Sequence, residues 1–200
     1  MPVNFNFTED YILENSVALL RPLRYNDYEN LLPFAINEPT LWKYSLIQAA
    51  GEDGLRNYMN IALEAKQSQK EYPFIVFDKR KNQYAGSTRF YDINLPYQTL
   101  QLGYTWYGKE FQGTGLNKHC KYLLLQFAFE EMNMIRVEFR ADALNERSIA
   151  AMKSIGCKVD GILRSNMPNA YNGRRDSIVL SILKDEWVND VKEKLKEKLQ

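Results

Sequence analysis

Cysteine and histidine are nearly absent from this chain. Cys120 and Cys157 are the only cysteines and His119 the only histidine. They form no C-x-x-C pair and no Cys/His cluster, so neither a metal site nor a disulfide framework is expected. So few thiols fit a reduced, cytoplasmic protein. His119 directly precedes Cys120, and adjacent helical residues point about 100° apart, so the two cannot form a catalytic pair. The expectation is a partly exposed His119 and a Cys120 in the core. Long apolar runs are also missing. The opening MPVNFNFTEDYILEN has no basic stretch followed by an apolar core, so neither export nor membrane insertion is supported. An excess of charge of one sign is lacking too: 26 basic residues face 25 acidic ones, a net +1. No general field for nucleic acid or an anionic membrane results, and any anion site must be local.

What is present suits one globular domain over residues 1–200, long enough to bury roughly 70% of the surface of the unfolded chain. Val17 to Leu20 reads as a first strand. Asn26-Asp27 can cap a helix carrying Tyr28, Leu31, Leu32 and Ile36, limited by Pro39. A second helical pattern follows Gly54. Pro73 to Phe77 and Tyr84 to Ile93 read as strands joined by the polar turn DKRKNQ, and a third strand runs from Thr99 to Tyr107. Helical spacing of Leu116, Cys120, Leu123, Leu124, Phe127 and Ala128 reaches about Met132. IRVEFR alternates as a strand. A helix from about Asn145 ends at Gly156, and strands follow near Cys157 to Arg164 and Asp176 to Leu183. Trp187, Val191, Leu195 and Leu199 mark a final helix, about 184–199. The order predicts an α/β chain with a mainly antiparallel sheet.

Between the Thr99 strand and the next helix stands QGTGLN, Gln112 to Asn117. A helix N-terminus carries unpaired N–H groups and about half a positive charge, so a glycine-rich approach to one can hold an anion. Glycines can equally serve a tight strand-to-helix corner. No G-K-[ST] follows and no GxGxxG opens a βαβ unit, which sets aside the two best-known nucleotide loops.

The run LGYTWYGKEFQGTGLNKHCKYLLLQFAFEEMNMIRVEFRADALNERSIAAMKSIG resembles the centre of the GNAT superfamily of acetyl-coenzyme A dependent N-acetyltransferases. More narrowly, it looks like the branch that includes the ribosomal-protein N-terminal acetyltransferases and many uncharacterised relatives. From VALLRPL to NGRRDSIVLSILKDEW, about residues 17–187, the signatures come in the family's order: L-G-Y-T-W, Q-G-T-G, N-E-R-S and R-D-S-I-V-L-S-I-L. The resemblance implies the GNAT fold, with a mostly antiparallel mixed sheet splayed around the cofactor site and flanked by helices. It makes Gln112, Gly113, Thr114, Gly115, Leu116 and Asn117 the cradle for the pyrophosphate of acetyl-coenzyme A, with Asn117 standing where the family usually has a small residue. It further implies that Tyr104, Thr105, Trp106 and Tyr107 pair with the pantetheine arm through backbone groups. Asn145 would contact that arm and Ser148 would lie near its sulfur as a catalytic group. Asn145 is also readable as a plain N-cap. Lys118, Lys121, Arg147 and Lys153 read equally as solvated helix faces or as partners of the remaining phosphate charge.

Many relatives carry a glutamate on the strand before the loop as base, where this chain has Gln101. At pH 7 an α-amino group is roughly one-sixth neutral, whereas a lysine-like amine is neutral at only about four parts in ten thousand. A site without a strong base therefore favours an α-amino acceptor, a protein N-terminus or a small amine. The competing expectation is a non-catalytic acyl-coenzyme A binding or sensing protein. Asp92 and the polar segment Ser165 to Arg175 lie where the branch often places acceptor-facing loops, and a homodimer is compatible with the sequence. No metal is expected.

Overall fold

The computed structural model describes residues 5–169 and 173–199. Eight strands form one sheet in the order β1-β2-β3-β4-β5-β6-β8-β7. They are β1 (Leu13–Glu14), β2 (Ala18–Pro22), β3 (Tyr72–Asp78), β4 (Gln83–Asn94), β5 (Thr99–Tyr107), β6 (Arg136–Asp142), β7 (Lys158–Pro168) and β8 (Arg174–Leu183). Helices α1 (Tyr28–Asn37) and α2 (Gly51–Gln67) precede β3, α3 (Leu116–Gln126) joins β5 to β6, and α4 (Glu146–Ser154) joins β6 to β7. The chain closes through α5 (Lys184–Glu186), a π-helical turn Trp187–Val191 and α6 (Lys192–Glu197). This is the expected mixed, mainly antiparallel α/β sheet flanked by helices. Among the described residues no helix is long and apolar enough to cross a membrane.

Strand β1 was not expected, because two residues are too few to show alternation. Asp27 stands at the start of α1 but does not cap it. Its carboxylate binds Arg21 at 2.6 Å and accepts from the Arg24 backbone N–H at 2.9 Å, closing a 3₁₀ turn. Ile36, expected on the apolar stripe of α1, is exposed, since that helix buries only Leu31 and Ala35. The acceptor-loop expectation at Ser165 to Arg175 falls on the ends of β7 and β8, and residues 170–172 lie outside the described ones.

Two cores lie on opposite faces of the sheet. Leu100, Leu102, Val137, Phe139, Leu180 and Ile182 pack with Leu116, Cys120 and Leu124 of α3 and with Trp187. On the other face Ile75 and Trp106 pack with Trp42, Leu55, Tyr58 and Met59. Covering both faces in this way is what permits the single parallel pair, β5 with β6, at the centre.

That pair is short. Thr99 faces Arg136, Leu100 faces Val137 and Gln101 faces Glu138, and there the pairing stops. Beyond it β5 stays with β4 as far as Tyr107, while β6 stays with β8 as far as Asp142. The sheet is therefore split, as expected. A bulge reshapes β5 along the split: Ser87 faces Trp106 and Arg89 faces Gly103, so Thr88 alone opposes Tyr104 and Thr105. Tyr104 takes a φ of +49°, in the left-handed region. The extra residue reverses the alternation of side chains. Leu102 and Tyr107 consequently enter the same core, and Trp106 enters the opposite one.

Candidate functional site

Because β5 and β6 run parallel, the helices that follow them both begin at the open end of the split. At the head of α3, Gly113 and Gly115 have φ of +76° and +86°, and a Cβ on either would meet no atom within 4 Å. The glycines serve the backbone conformation, not a crowded corner. The amides of Gly113, Gly115 and Asn117 make no hydrogen bond among the described residues. They are the unpaired donors of a helix start, with its partial positive charge.

The loop is braced from three sides. Gln112 Nε2 donates to the Tyr107 carbonyl at 2.7 Å, and the Thr114 hydroxyl donates to the Phe111 carbonyl at 2.8 Å. Arg80, from the turn between β3 and β4, donates Nη1 to the Thr114 carbonyl at 3.0 Å. Asp78 holds that guanidinium at 2.7 Å. Burial alone would raise the Asp78 carboxyl, but its bonds to Arg80 outweigh this and hold it below the usual carboxylate range. Arg80 was missed in the sequence because DKRKNQ reads only as a polar turn. Its reach to the loop depends on the sheet order.

At the head of α4, Asn145 Oδ1 accepts from the Ser148 N–H at 3.1 Å, so the capping reading of Asn145 holds. The Ser148 hydroxyl makes no hydrogen bond among the described residues.

On β5 the side chains leave the split to the backbone. Trp106 is buried against Trp42 and Phe34, with ring centroids 5.0 and 5.8 Å away. Tyr107 is buried in the α3 core. The Tyr104 ring lies 4.2 Å from the guanidinium of Arg89 and 5.0 Å from the Tyr91 ring. Thr105 turns to the α3 side, where its Oγ1 lies 2.7 Å from Thr88 Oγ1.

Two helical residues differ from their expected settings. His119 is buried, because the segment after β1 covers it: its Nδ1 lies 3.1 Å from Asn15 Nδ2. Burial, assisted by Arg80, pulls its pKa below the ordinary value. Lys121, read equally as part of a solvated face or as a partner of phosphate charge, is 5% exposed and donates to Thr105 Oγ1 at 2.7 Å. The inward turn of Thr105 at the bulge supplies this acceptor. Burial lowers the Lys121 pKa to about 8. Cys120 is fully in the core, as expected.

Gln101 ends the paired part of β5. Its Nε2 donates to Asp92 Oδ2 at 2.8 Å, and its buried Oε1 has no donor among the described residues. A carboxylate therefore stands beside the position that lacks one. Among the described residues no group of three or more His, Cys, Asp or Glu side chains is placed to hold a metal ion.

Residues 18–158 match the family model described as Acetyltransferase (GNAT) domain. The chain is 32% identical over 103 residues to "Putative ribosomal N-acetyltransferase YdaF" of Bacillus subtilis (strain 168), a match covering 51% of this chain and 55% of that one. That alignment spans about half the length of the relative. It is 27% identical over 178 residues to "Probable N-acetyltransferase YjcK" of the same organism, covering 86% of this chain and 97% of that protein. The crystal structure of a GCN5-related N-acetyltransferase from Brucella melitensis superposes with a TM-score of 0.88 over 98% of this chain and 88% of that one, at 21% identity, a likeness of fold. The chain belongs to the GNAT acetyltransferase family.

Proposed function

We propose that this GNAT chain, as a single acetyltransferase domain, transfers the acetyl group of acetyl-coenzyme A to a primary amine in a ternary complex. Protein N-terminal α-amines are the favoured acceptors. The observation that carries the reading is the open split between β5 and β6, with two helix N-termini at its mouth. The residues present fit the cofactor. Unpaired amides of Gly113, Gly115 and Asn117, with Arg80 behind them, suit a pyrophosphate. The unpaired stretch of β5 suits the amide groups of a pantetheine arm, and the cofactor supplies an activated thioester when bound.

The chain's own groups then have distinct tasks. Backbone N–H groups of β5 beyond Gln101, where β6 no longer pairs with that strand, polarise the acyl carbonyl. The unpartnered Ser148 hydroxyl stabilises charge that develops on the leaving sulfur. Asp92, exposed beside Gln101 and held by its Nε2 at 2.8 Å, can take the proton that attack makes acidic. A carboxylate is far too weak a base to neutralise a lysine-like ammonium beforehand, so the preference for an α-amine stands. The similarity to a relative named for ribosomal N-acetylation supports a protein N-terminus as the acceptor.

The test incubates the protein and its Ser148→Ala variant with acetyl-coenzyme A and three acceptor sets: N-terminal peptides, peptides blocked at the N-terminus but carrying lysine, and small amines. Free thiol is the readout. The expected result is fastest release with free α-amines and a kcat lowered on the order of tenfold to a hundredfold in the variant, about 1.4–2.7 kcal/mol of barrier, with cofactor affinity retained. Cofactor binding with no thiol release from any acceptor would instead establish the non-catalytic, acyl-coenzyme A sensing alternative.

A further inference from the structure

Lys121 breaks the pattern of its helix. Around it α3 presents His119, Cys120, Leu123, Leu124 and Leu125 as buried residues, and an ammonium is buried among them. Its Nζ reaches Thr105 Oγ1 at 2.7 Å and Thr88 Oγ1 at 3.4 Å, and no carboxylate lies within ion-pair distance among the described residues. Three N–H donors thus have two neutral hydroxyls to serve, and those hydroxyls also bond each other at 2.7 Å. A buried cation without a counter-charge costs stability, and a local violation of this kind marks a place reserved for something else. Its position is specific. Its partners Thr105 and Thr88 belong to β5 and β4, so the ammonium stands on the α3 face of β5, alongside the stretch of that strand that β6 no longer covers and between the loop at Gly113 and the last β5–β6 pair at Gln101.

We propose that Lys121 is a binding residue of this split, whose ammonium donates its third N–H to an amide carbonyl of the acyl-carrying arm of acetyl-coenzyme A. The inference rests on the split being the cofactor site. It adds a residue and a dependence on pH that the loop and the split backbone do not supply. A carbonyl oxygen suits the place because it accepts a bond without bringing another buried charge. Binding such a ligand favours the charged lysine, and by reciprocity the charged lysine favours the ligand. Burial has already brought the Lys121 pKa to about 8, so the charge is lost just above neutrality. The other titratable groups facing it stay neutral through that range. Burial pushes the thiols of Cys120, on α3, and Cys157, ahead of β7, up to about 12, and it raises the Tyr107 phenol well above its ordinary value. Thr88 and Thr105, from β4 and β5, do not titrate.

Acetyl-coenzyme A binding is measured by calorimetry from about pH 7 to about pH 9.5 for the full chain and for Lys121→Met and Lys121→Arg. The Lys121 side-chain pKa is followed by NMR with and without ligand. The wild-type dissociation constant should rise on the order of tenfold across that range, and the Lys121 pKa should rise on binding. Lys121→Met should bind on the order of tenfold more weakly at pH 7 and lose most of the pH dependence, while Lys121→Arg should keep tight binding at both ends. Wild-type affinity and pH dependence in a folded Lys121→Met variant, or a Lys121 pKa that falls on binding, would overturn the proposal and leave the proposed activity standing. Absence of any acetyl-coenzyme A binding by the wild type would overturn both.

Discussion

Two cations are buried on opposite faces of the same bulge, and they are treated very differently. Arg89 of β4 is fully buried, pairs with Glu71 Oε2 at 2.7 Å, and lies 4.7 and 4.2 Å from the rings of Tyr58 and Tyr104. Among the described residues its Nε and Nη2 have no hydrogen-bond acceptor, and the two ring faces stand in their place. Lys121 of α3 is almost as deeply buried and has only hydroxyls. The lesson lies in the counter-charge. A cation neutralised within the fold belongs to the fold, here pinning the strained Tyr104 between Arg89 and Tyr91. A cation left without an acid costs stability in the free protein and is available to a ligand.

The largest expected effect is on the Arg89 side. Arg89→Met leaves Glu71 without its partner in a largely buried position and removes the cation between two rings. Breaking such a pair should destabilise the protein by about 3–5 kcal/mol, read as a lower urea midpoint at pH 7. A loss below about 1 kcal/mol would mean that Arg89 is as unneeded by the fold as Lys121 is proposed to be.

The next effect sharpens the contrast through pH. Lys121 has a folded pKa of about 8, against an ordinary lysine value of 10.5. Between these values the unfolded chain binds more protons than the folded one, so the lysine's contribution makes stability rise with pH through that window. The shift corresponds to about 3 kcal/mol at most. Cys120 and Cys157 act in the opposite sense, because their thiols ionise first in the unfolded chain while burial holds both near 12 in the fold. Subtracting the curve for Lys121→Met removes most of the cysteine contribution, since burial is the largest cause of both thiol shifts and remains in the variant. The difference, wild type minus variant, should climb from about pH 8 to about pH 10.5, and a flat difference would place the charge in water.

The smallest effect is the most pointed. At pH 7 and without ligand, Lys121→Met should be more stable than wild type by about 1 kcal/mol, a melting temperature higher by roughly 2–4 °C. Replacing a buried unpaired cation by an apolar side chain of similar length is expected to gain stability at the expense of function. A destabilised variant would give Lys121 a structural task like that of Arg89.

Legibility in the sequence followed the range of the interactions. Strand β5 was read from Thr99 to Tyr107 as found, and β6 from the alternation of Ile135 through Arg140, because period-two patterns record burial directly. The loop at Gly113 and Gly115 was legible because only glycine adopts those φ values freely. The settings of Arg80, Lys121, His119 and Asp92 were not. Each depends on a partner far away in the chain: Thr114 for Arg80, Thr88 and Thr105 for Lys121, Asn15 for His119 and Gln101 for Asp92. The bulge was hidden for a related reason. LGYTWY alternates passably in either register, and only pairing with β4 shows that Thr88 opposes two residues.

The sequence by itself therefore determined the order and kind of the main elements, the family and the place of the glycine loop, since all of these are written in local periodicity, glycine chemistry and ordered motifs. Tertiary structure alone decided where β5 and β6 part, which way Thr105 faces and that Lys121 is buried without an acid. The physical reason is that desolvation and counter-charge are properties of a place in the fold. A lysine in a helical stripe acquires them only when three distant segments close around it.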